Sequence, residues 1–135
     1  MTAPFGNQLT CPVQPQATAG NDLNTNVFIA PRDGTITAVT YATVTAITGA
    51  NTNTRSESLV NKGQAGAGST VIATLQFDLG VNTVASDEKT ITLSGTPANL
   101  NVVAGDVLQW QSTHIGTGIA DPGGLVAVTL AAKYA

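Results

Sequence analysis

Alternation of apolar and polar residues predicts β-strands in this chain. Leu108 and Trp110 are apolar, whereas their neighbours Gln109 and Gln111 are polar. The even positions of residues 125–134 are apolar in the same way. A strand shows successive side chains to opposite faces, so each of these segments has one buried face and one solvated face. The buried faces need a second layer, which predicts two packed sheets.

Other segments refine this prediction. The odd positions from Val71 to Leu79 are apolar, which predicts that they face the core. In residues 35–47 the even positions are apolar, but Val39 and Tyr41 interrupt the alternation near Thr40, which predicts a bend or bulge.

Residues 55–62 alternate only weakly and carry charges, which is typical of an edge strand. Turn residues separate the segments, and no helical period is present anywhere. The pattern therefore predicts an all-β fold, an antiparallel β-sandwich or jelly roll of about eight strands.

Residues 1–26 contain three prolines and no sustained periodicity, which predicts an extended N-terminal arm followed by a single β-sandwich domain over residues 27–135. Within the arm, Phe5, Leu9 and Val13 are spaced so that an extended chain could press them onto one surface. An arm that docks on a neighbouring protein and a solvated terminus are both compatible with this spacing.

The charge content restricts the choice of partner. Only 10% of the residues are charged, against about 25% in an average soluble domain. A neutral surface suits contact with other protein subunits, because charges are depleted at the centres of interfaces. The five basic residues are scattered and the net charge is −3, which disfavours nucleic acid. No segment approaches the roughly 18 apolar residues of a membrane span, so no membrane partner is expected.

The residue types that carry catalysis are sparse. The chain has one histidine, His114, and one cysteine, Cys11. A Ser-His-Asp arrangement would have to use residues such as Ser112 and Asp121, whose spacing specifies no triad. We expect neither an enzyme nor a cofactor nor a bound metal, although loop carboxylates leave a Ca²⁺ site open.

The loop acids and the aromatic residues have simpler explanations. Asp33, Asp106 and Asp121 lie beside Gly or Pro, where an Asp side chain caps its own turn. Trp110 alternates in phase with Leu108, which predicts a core residue rather than a sugar platform. Tyr41 is compatible with either the core or an exposed interface.

The C-terminal third resembles a known family. The resemblance rests on the run from Val103 to Leu108, then Ser112-Thr113, Gly116-Thr117-Gly118, Pro122-Gly123-Gly124 and a final apolar strand. These turns and strands resemble the C-terminal half of small jelly-roll decoration (head cement) proteins of tailed bacteriophages, over roughly the last forty residues.

The resemblance implies a function without catalysis. It implies a protein made in the host cytoplasm that decorates the outer surface of the virion capsid. It also implies a homotrimer that binds the major capsid protein between capsomers. The candidate capsid or subunit contacts are Phe5, Leu9, Val13, Tyr41 and His114.

Two alternatives share the predicted fold. A carbohydrate-binding or adhesin-type sandwich would need exposed aromatic side chains along a groove. A trimeric ligand domain of the tumour-necrosis-factor or C1q kind typically belongs to secreted chains. The N-terminal residues of this chain lack the basic region and apolar run of a signal peptide.

Overall fold

The computed structural model describes residues 7–132 of the 135-residue chain. One short 3-10 helix, Pro97–Leu100, interrupts an otherwise β-sheet structure. The strands are β1 (Asn7–Val13), β2 (Leu23–Ile29), β3 (Gly34–Thr43), β4 (Thr54–Asn61), β5 (Thr70–Gln76), β6 (Glu88–Thr90), β7 (Thr92–Leu93), β8 (Asn101–Val102), β9 (Val107–Ile115) and β10 (Gly124–Ala132). No helix among residues 7–132 is long and apolar enough to cross a membrane.

The strands form two antiparallel sheets that pack face to face. The first sheet has the order β1-β10-β3-β6, with β8 also paired to β3, and the second has the order β2-β9-β4-β5-β7. Successive strands from β1 to β4 alternate between the sheets, and so do β9 and β10, which is the strand order of a jelly roll. The predicted all-β sandwich is confirmed. The strands number more than the predicted eight because β6, β7 and β8 are fragments of two or three residues.

The pairing directions divide the loops between two ends of the sandwich. The β1–β2, β3–β4, β5–β6 and β9–β10 loops lie at one end, which we call the upper end. The β2–β3, β4–β5 and β8–β9 loops lie at the opposite, lower end.

The core lies between the sheets and consists mainly of aliphatic side chains from their inner faces. Trp110 is 1% exposed, and its ring centroid lies 5.2 Å from that of Tyr41 in a tilted arrangement. The predicted burial of Trp110, Val126, Val128 and Leu130 is confirmed, whereas Ala132 is half-buried and Tyr134 lies outside the described residues. The other fully buried large residues include Ile36, Val39, Leu59, Ile72, Phe77, Ile91, Leu108 and Leu130.

A bulge in β3 changes the face that its side chains occupy. Ala38 pairs with Thr129 of β10 while Ile36 pairs with Leu130, so Thr37 is the extra residue. The predicted irregularity is therefore present, at Thr37 rather than at Thr40.

A second bulge overturns part of the prediction for β5. Leu59 pairs with Ala73 while Val60 pairs with Val71, which leaves Ile72 as the extra residue. Ile72 is consequently fully buried, whereas Val71 is exposed. Leu79 lies beyond the end of β5 and is 67% exposed. The inward placement predicted for Val71 and Leu79 was wrong.

The strand β4 corrects the prediction of an edge. It lies between β9 and β5 in the second sheet, and its charged residues Arg55 and Glu57 are fully buried. Charged residues in a strand indicate an edge strand only if no buried group elsewhere in the protein compensates their charge.

Residues 7–26 correct the predicted arm. Residues 7–13 form β1, which pairs with β10 along its whole length. The proposed domain boundary after residue 26 falls inside β2. Pro12 does not prevent pairing here, because β1 is an edge strand and a missing N–H is tolerated on a solvent-facing edge. Residues 1–6, including Phe5, lie outside the described residues.

The packing of Trp110 predicts its fluorescence. We expect blue emission that acrylamide does not quench, because the indole is enclosed between the two sheets. The measurement is an emission spectrum with and without the quencher, repeated in denaturant as the exposed reference. Red emission that acrylamide quenches in the folded protein would contradict the placement of Trp110.

Candidate functional site

Four ionisable or hydroxyl side chains meet inside the upper end of the sandwich. Alternation along β4 places Arg55 and Glu57 on its inner face, and the register places Ser112 of β9 opposite Glu57. The β9–β10 loop then brings Asp121 into the same region. All four side chains are at most 3% exposed.

Arg55 connects the sheet to two loops. Its Nε donates to the Ile119 carbonyl at 2.6 Å, and one terminal nitrogen donates to the carbonyls of Ala19 and Asn21, each at 2.9 Å. The other terminal nitrogen donates to Ser112 Oγ at 3.0 Å. The guanidinium therefore fixes the β1–β2 and β9–β10 loops against the second sheet.

Asp121 is held on one oxygen by two donors. The Tyr41 hydroxyl donates to Asp121 Oδ1 at 2.7 Å, and the Gly123 N–H donates to the same oxygen at 2.9 Å. Burial, followed by the nearby Asp121 charge, raises the pKa of Tyr41, so Tyr41 acts as a hydrogen-bond donor. Tyr41 is thus a core residue and does not form a surface contact.

Glu57 has too few donors to be stable as an anion. Ser112 Oγ lies 2.9 Å from Glu57 Oε1 and 3.3 Å from Asp121 Oδ2, and one hydroxyl proton can serve only one of them at a time. Within residues 7–132, Glu57 Oε2 has no hydrogen-bond partner. Burial and the adjacent Asp121 carboxylate raise the pKa of Glu57 well above its usual range.

His114 does not join this network. Its Nδ1 lies 2.6 Å from Asp22 Oδ1, and its backbone N–H donates to the same oxygen at 2.8 Å. These two bonds, the backbone bond first, lower the pKa of the Asp22 carboxyl. The structure therefore does not bring His114, Ser112 and Asp121 together as a triad.

The other predicted contact residues occupy different environments. Val13 belongs to the core at 7% exposure, and Leu9 is half-buried against that core. His114 keeps about a third of its side chain exposed, at 35%. Tyr41 is thus corrected from a contact residue to a core residue, because its side chain lies between the sheets. Val13 is mostly buried as well, but it also lines a surface groove.

Asp106 and Asp121 cap their own turns, as the sequence predicted, whereas Asp33 bonds to a distant loop instead of its own turn. Asp106 accepts the Val103 N–H at 2.9 Å and the Asn61 amide at 3.0 Å, and Asp33 accepts the Ala104 N–H at 2.9 Å. Burial opposes the ionisation of Asp106, but these hydrogen bonds outweigh it and lower the pKa of its carboxyl. No cluster of three potential metal ligands occurs among the described residues.

A surface groove lies on the first sheet at the upper end, with a volume of about 480 Å³. No local sequence pattern predicts this groove, although three prolines mark its walls. Its lining residues are Pro12, Val13, Pro15, Ala42, Thr43, Val44, Ser86, Pro122, Gly124 and Leu125.

Two further grooves lie near the lower end. One is lined by residues 26–29 and Val107, and the other by residues 33–35 and 101–103. None of the three grooves is lined by Arg55, Glu57, Ser112 or Asp121.

Comparison with known proteins identifies no family. No protein-family model matches the sequence, and no curated protein matches it. A solved structure, described as the structure of infectious bursal disease virus Gx strain, matches with 13% identity and a TM-score of 0.32. The match covers 93% of this chain and 30% of that chain, and a likeness this weak carries no argument about function.

We call the buried side chains of Arg55, Glu57, Ser112 and Asp121 the Arg55 network. Its hydrogen bonds predict that replacing Arg55 strongly destabilises the protein. Arg55→Met should lower the free energy of unfolding by about 3–5 kcal/mol, because it leaves three loop carbonyl groups without a donor, each at a cost of about 1–3 kcal/mol where the carbonyl stays buried. Urea denaturation measures this effect. Arg32→Met, at an exposed position, is the control and should stay within about 0.5 kcal/mol. A similarly small change for Arg55→Met would contradict the proposed role.

Glu57 predicts an unusual dependence of stability on pH. The folded pKa is raised, so the native state keeps a proton that the unfolded chain loses above its ordinary value of 4.5. The free energy of unfolding should therefore fall as the pH rises from that value towards the folded pKa, by up to about 1.4 kcal/mol per pH unit.

Glu57→Gln separates this effect from other titrations. The amide keeps the shape and stays neutral, so the variant should gain stability relative to the native chain as the pH rises. Urea denaturation from about pH 5 to about pH 8 measures the difference. Glu88→Gln, at an exposed carboxylate, is the matched control. Parallel pH profiles for the native chain and Glu57→Gln would show that Glu57 is ionised in the folded state.

Proposed function

We propose that this chain is a non-enzymatic virion structural protein that decorates and stabilises a bacteriophage capsid. In this proposal it binds as a homotrimer between capsomers and contacts the major capsid protein. The sequence resemblance of its C-terminal third to head cement proteins motivates the proposal, and the jelly-roll strand order agrees with the fold that the resemblance implies.

The near absence of charge from both outer faces carries the proposal. Among the strand residues that the structure describes, Glu88 is the only charged one at an outward position of either sheet. The first sheet shows mainly Ala and Thr, and the second shows Ser, Thr, Asn and Gln. Such faces can be buried against another protein without desolvating ions, which favours contact through the sheet faces.

On the outer face of the second sheet, many polar side chains form hydrogen bonds with one another. The Gln109 amide donates to Asn26 Oδ1 at 2.9 Å, and the Gln111 amide donates to Gln109 Oε1 at 2.9 Å. The hydroxyls of Ser58 and Thr74 are 2.7 Å apart. Because these groups already bond to one another, a partner need not supply a donor or acceptor for each of them.

The free edges of the two sheets favour contact through faces as well. Pro12 removes one N–H from β1, and β2 has a bulge at Val27, between Asn26 and Phe28. Both devices hinder the addition of a foreign strand.

The Arg55 network supports a structural role over an enzymatic one. Its side chains resemble those of active sites, but they are enclosed between the sheets. A substrate would have to displace the core to reach them.

The described aromatic residues give no support to a sugar-binding platform. Tyr41, Phe77 and Trp110 are at most 1% exposed, and Phe28 is 9% exposed. The carbohydrate-binding alternative would thus depend on Phe5 and Tyr134, which lie outside the described residues.

Light scattering and co-sedimentation test the proposed function. The purified protein should elute with about three times the 13.6 kDa mass of one chain. It should co-sediment saturably with undecorated shells of the virus that encodes it. A monomer that does not bind these shells would overturn the proposal.

A truncation tests the role of the N-terminal residues. Removal of residues 1–6 leaves every described strand intact, whereas a deletion extending to residue 20 also removes β1. If Phe5 contacts the capsid or a neighbouring subunit, the short truncation should fold normally and bind shells more weakly. Unchanged shell binding would remove Phe5 from the contact residues.

A further inference from the structure

We propose that the groove on the first sheet binds an extended segment of the partner protein, one with an aliphatic side chain next to a lysine or arginine. This inference rests on the proposed function, because it identifies the partner as the major capsid protein. Of the residues that line this groove, only Val13 was among the candidate contact residues.

The floor of the groove is a row of side chains that crosses the sheet. The registers place Pro12 beside Leu125, Leu125 beside Ala42, and Ala42 beside Glu88. Residues opposite one another in a sheet point to the same face, so this row runs from Pro12 across the groove to Glu88, which lies next to Ala42 just outside the lining residues. Leu125 is 43% exposed in the middle of the row.

The upper wall of the groove is rigid. The Ser86 N–H donates to the Thr43 carbonyl at 2.8 Å, and the Thr83 N–H donates to the Ile47 carbonyl at 2.9 Å. These bonds hold the segment that carries Val44, whose side chain is 62% exposed. A preformed wall lowers the entropic cost of binding, because little of the surface has to become ordered.

The size and lining of the groove indicate an aliphatic occupant. Its volume of about 480 Å³ falls within the range of about 300–1,000 Å³ that is typical of ligand sites. The described lining residues are aliphatic, proline or small, with no aromatic ring for stacking. A leucine-sized or valine-sized side chain of an extended segment fits such a surface.

Charge complementarity indicates a basic residue beside the aliphatic one. Glu88 ends the row and Asp87 precedes it in sequence, and both are exposed. Lys89 pairs with the buried Tyr41, which places it on the inner side of the sheet edge. Among the described residues that line the groove there is no lysine or arginine to neutralise these carboxylates.

The first experiment compares shell binding by variants of the full chain. Val44→Ser and Leu125→Ser should each weaken binding to undecorated shells about tenfold, because each removes an exposed aliphatic side chain from the groove. A tenfold change corresponds to about 1.4 kcal/mol. Glu88→Lys should weaken binding and reduce its sensitivity to salt. Leu79→Ser and Asp78→Lys are matched controls, because both residues are exposed at the upper end but belong neither to the groove lining nor to the row that ends at Glu88.

The outcomes separate this inference from the proposed function. If the native chain binds shells and the groove variants bind equally well, the groove assignment is overturned while the decoration function stands. If the groove variants change the mass of the oligomer but not shell binding, the groove joins copies of this chain, and the inference is again overturned.

A second experiment applies if the native chain does not bind shells, which would overturn the proposed function. Isotope-labelled protein is then titrated with two peptides, one with leucine flanked by lysines and one with leucine flanked by glutamates. Amide shifts at Val44, Leu125 and Glu88 with the lysine peptide alone would support the groove as a site for aliphatic-basic segments. No shifts, or equal shifts with both peptides, would overturn it.

Discussion

The upper end of the sandwich depends on one enclosed guanidinium. Arg55 donates to three loop carbonyls and to Ser112, and these acceptors come from three separate parts of the chain. A hydrophobic residue at this position could fill the space but could not satisfy the carbonyls, and unsatisfied buried carbonyls are costly. The positive charge favours the ionised form of Glu57, but burial and the neighbouring Asp121 outweigh it and raise the pKa of Glu57. The loops are therefore positioned by a buried polar network more than by apolar packing.

Bulges explain how strands with imperfect patterns close into two sheets. Each bulge shifts by one residue the positions whose side chains point into the core. The extra residues are Thr37 in β3, Val27 in β2 and Ile72 in β5. Each strand can then present apolar residues to the core on both sides of the bulge, although its sequence does not alternate strictly. The bulge in β2 also lies at a free sheet edge, where it discourages pairing with another chain. The same irregularity serves both core packing and solubility.

The sequence predicted regular strands well and failed where distant residues decide the outcome. β9 and β10 alternate without interruption, so Trp110, Val126, Val128 and Leu130 were assigned correctly to the core. Val71 was assigned to the wrong face because a bulge depends on the register with β4, which no local pattern encodes. Arg55 and Glu57 were assigned to an edge because their compensating groups lie far away in sequence, at residues 19–21 and beyond position 110. The groove was missed for the same reason, since its walls come from four separate segments.

The neutral surface constrains how such a module could bind a large assembly. A face without charge gives no long-range attraction, so encounter depends on diffusion and on the few ions at the two ends of the sandwich. Among the described loop residues, the exposed carboxylates Asp22, Asp78 and Asp87 lie at the upper end, whereas Arg32, Asp33 and Lys62 lie at the lower end. If the chain binds as the proposed trimer, one shallow groove per copy supplies only modest affinity, and stable attachment follows from the linked copies that bind at once.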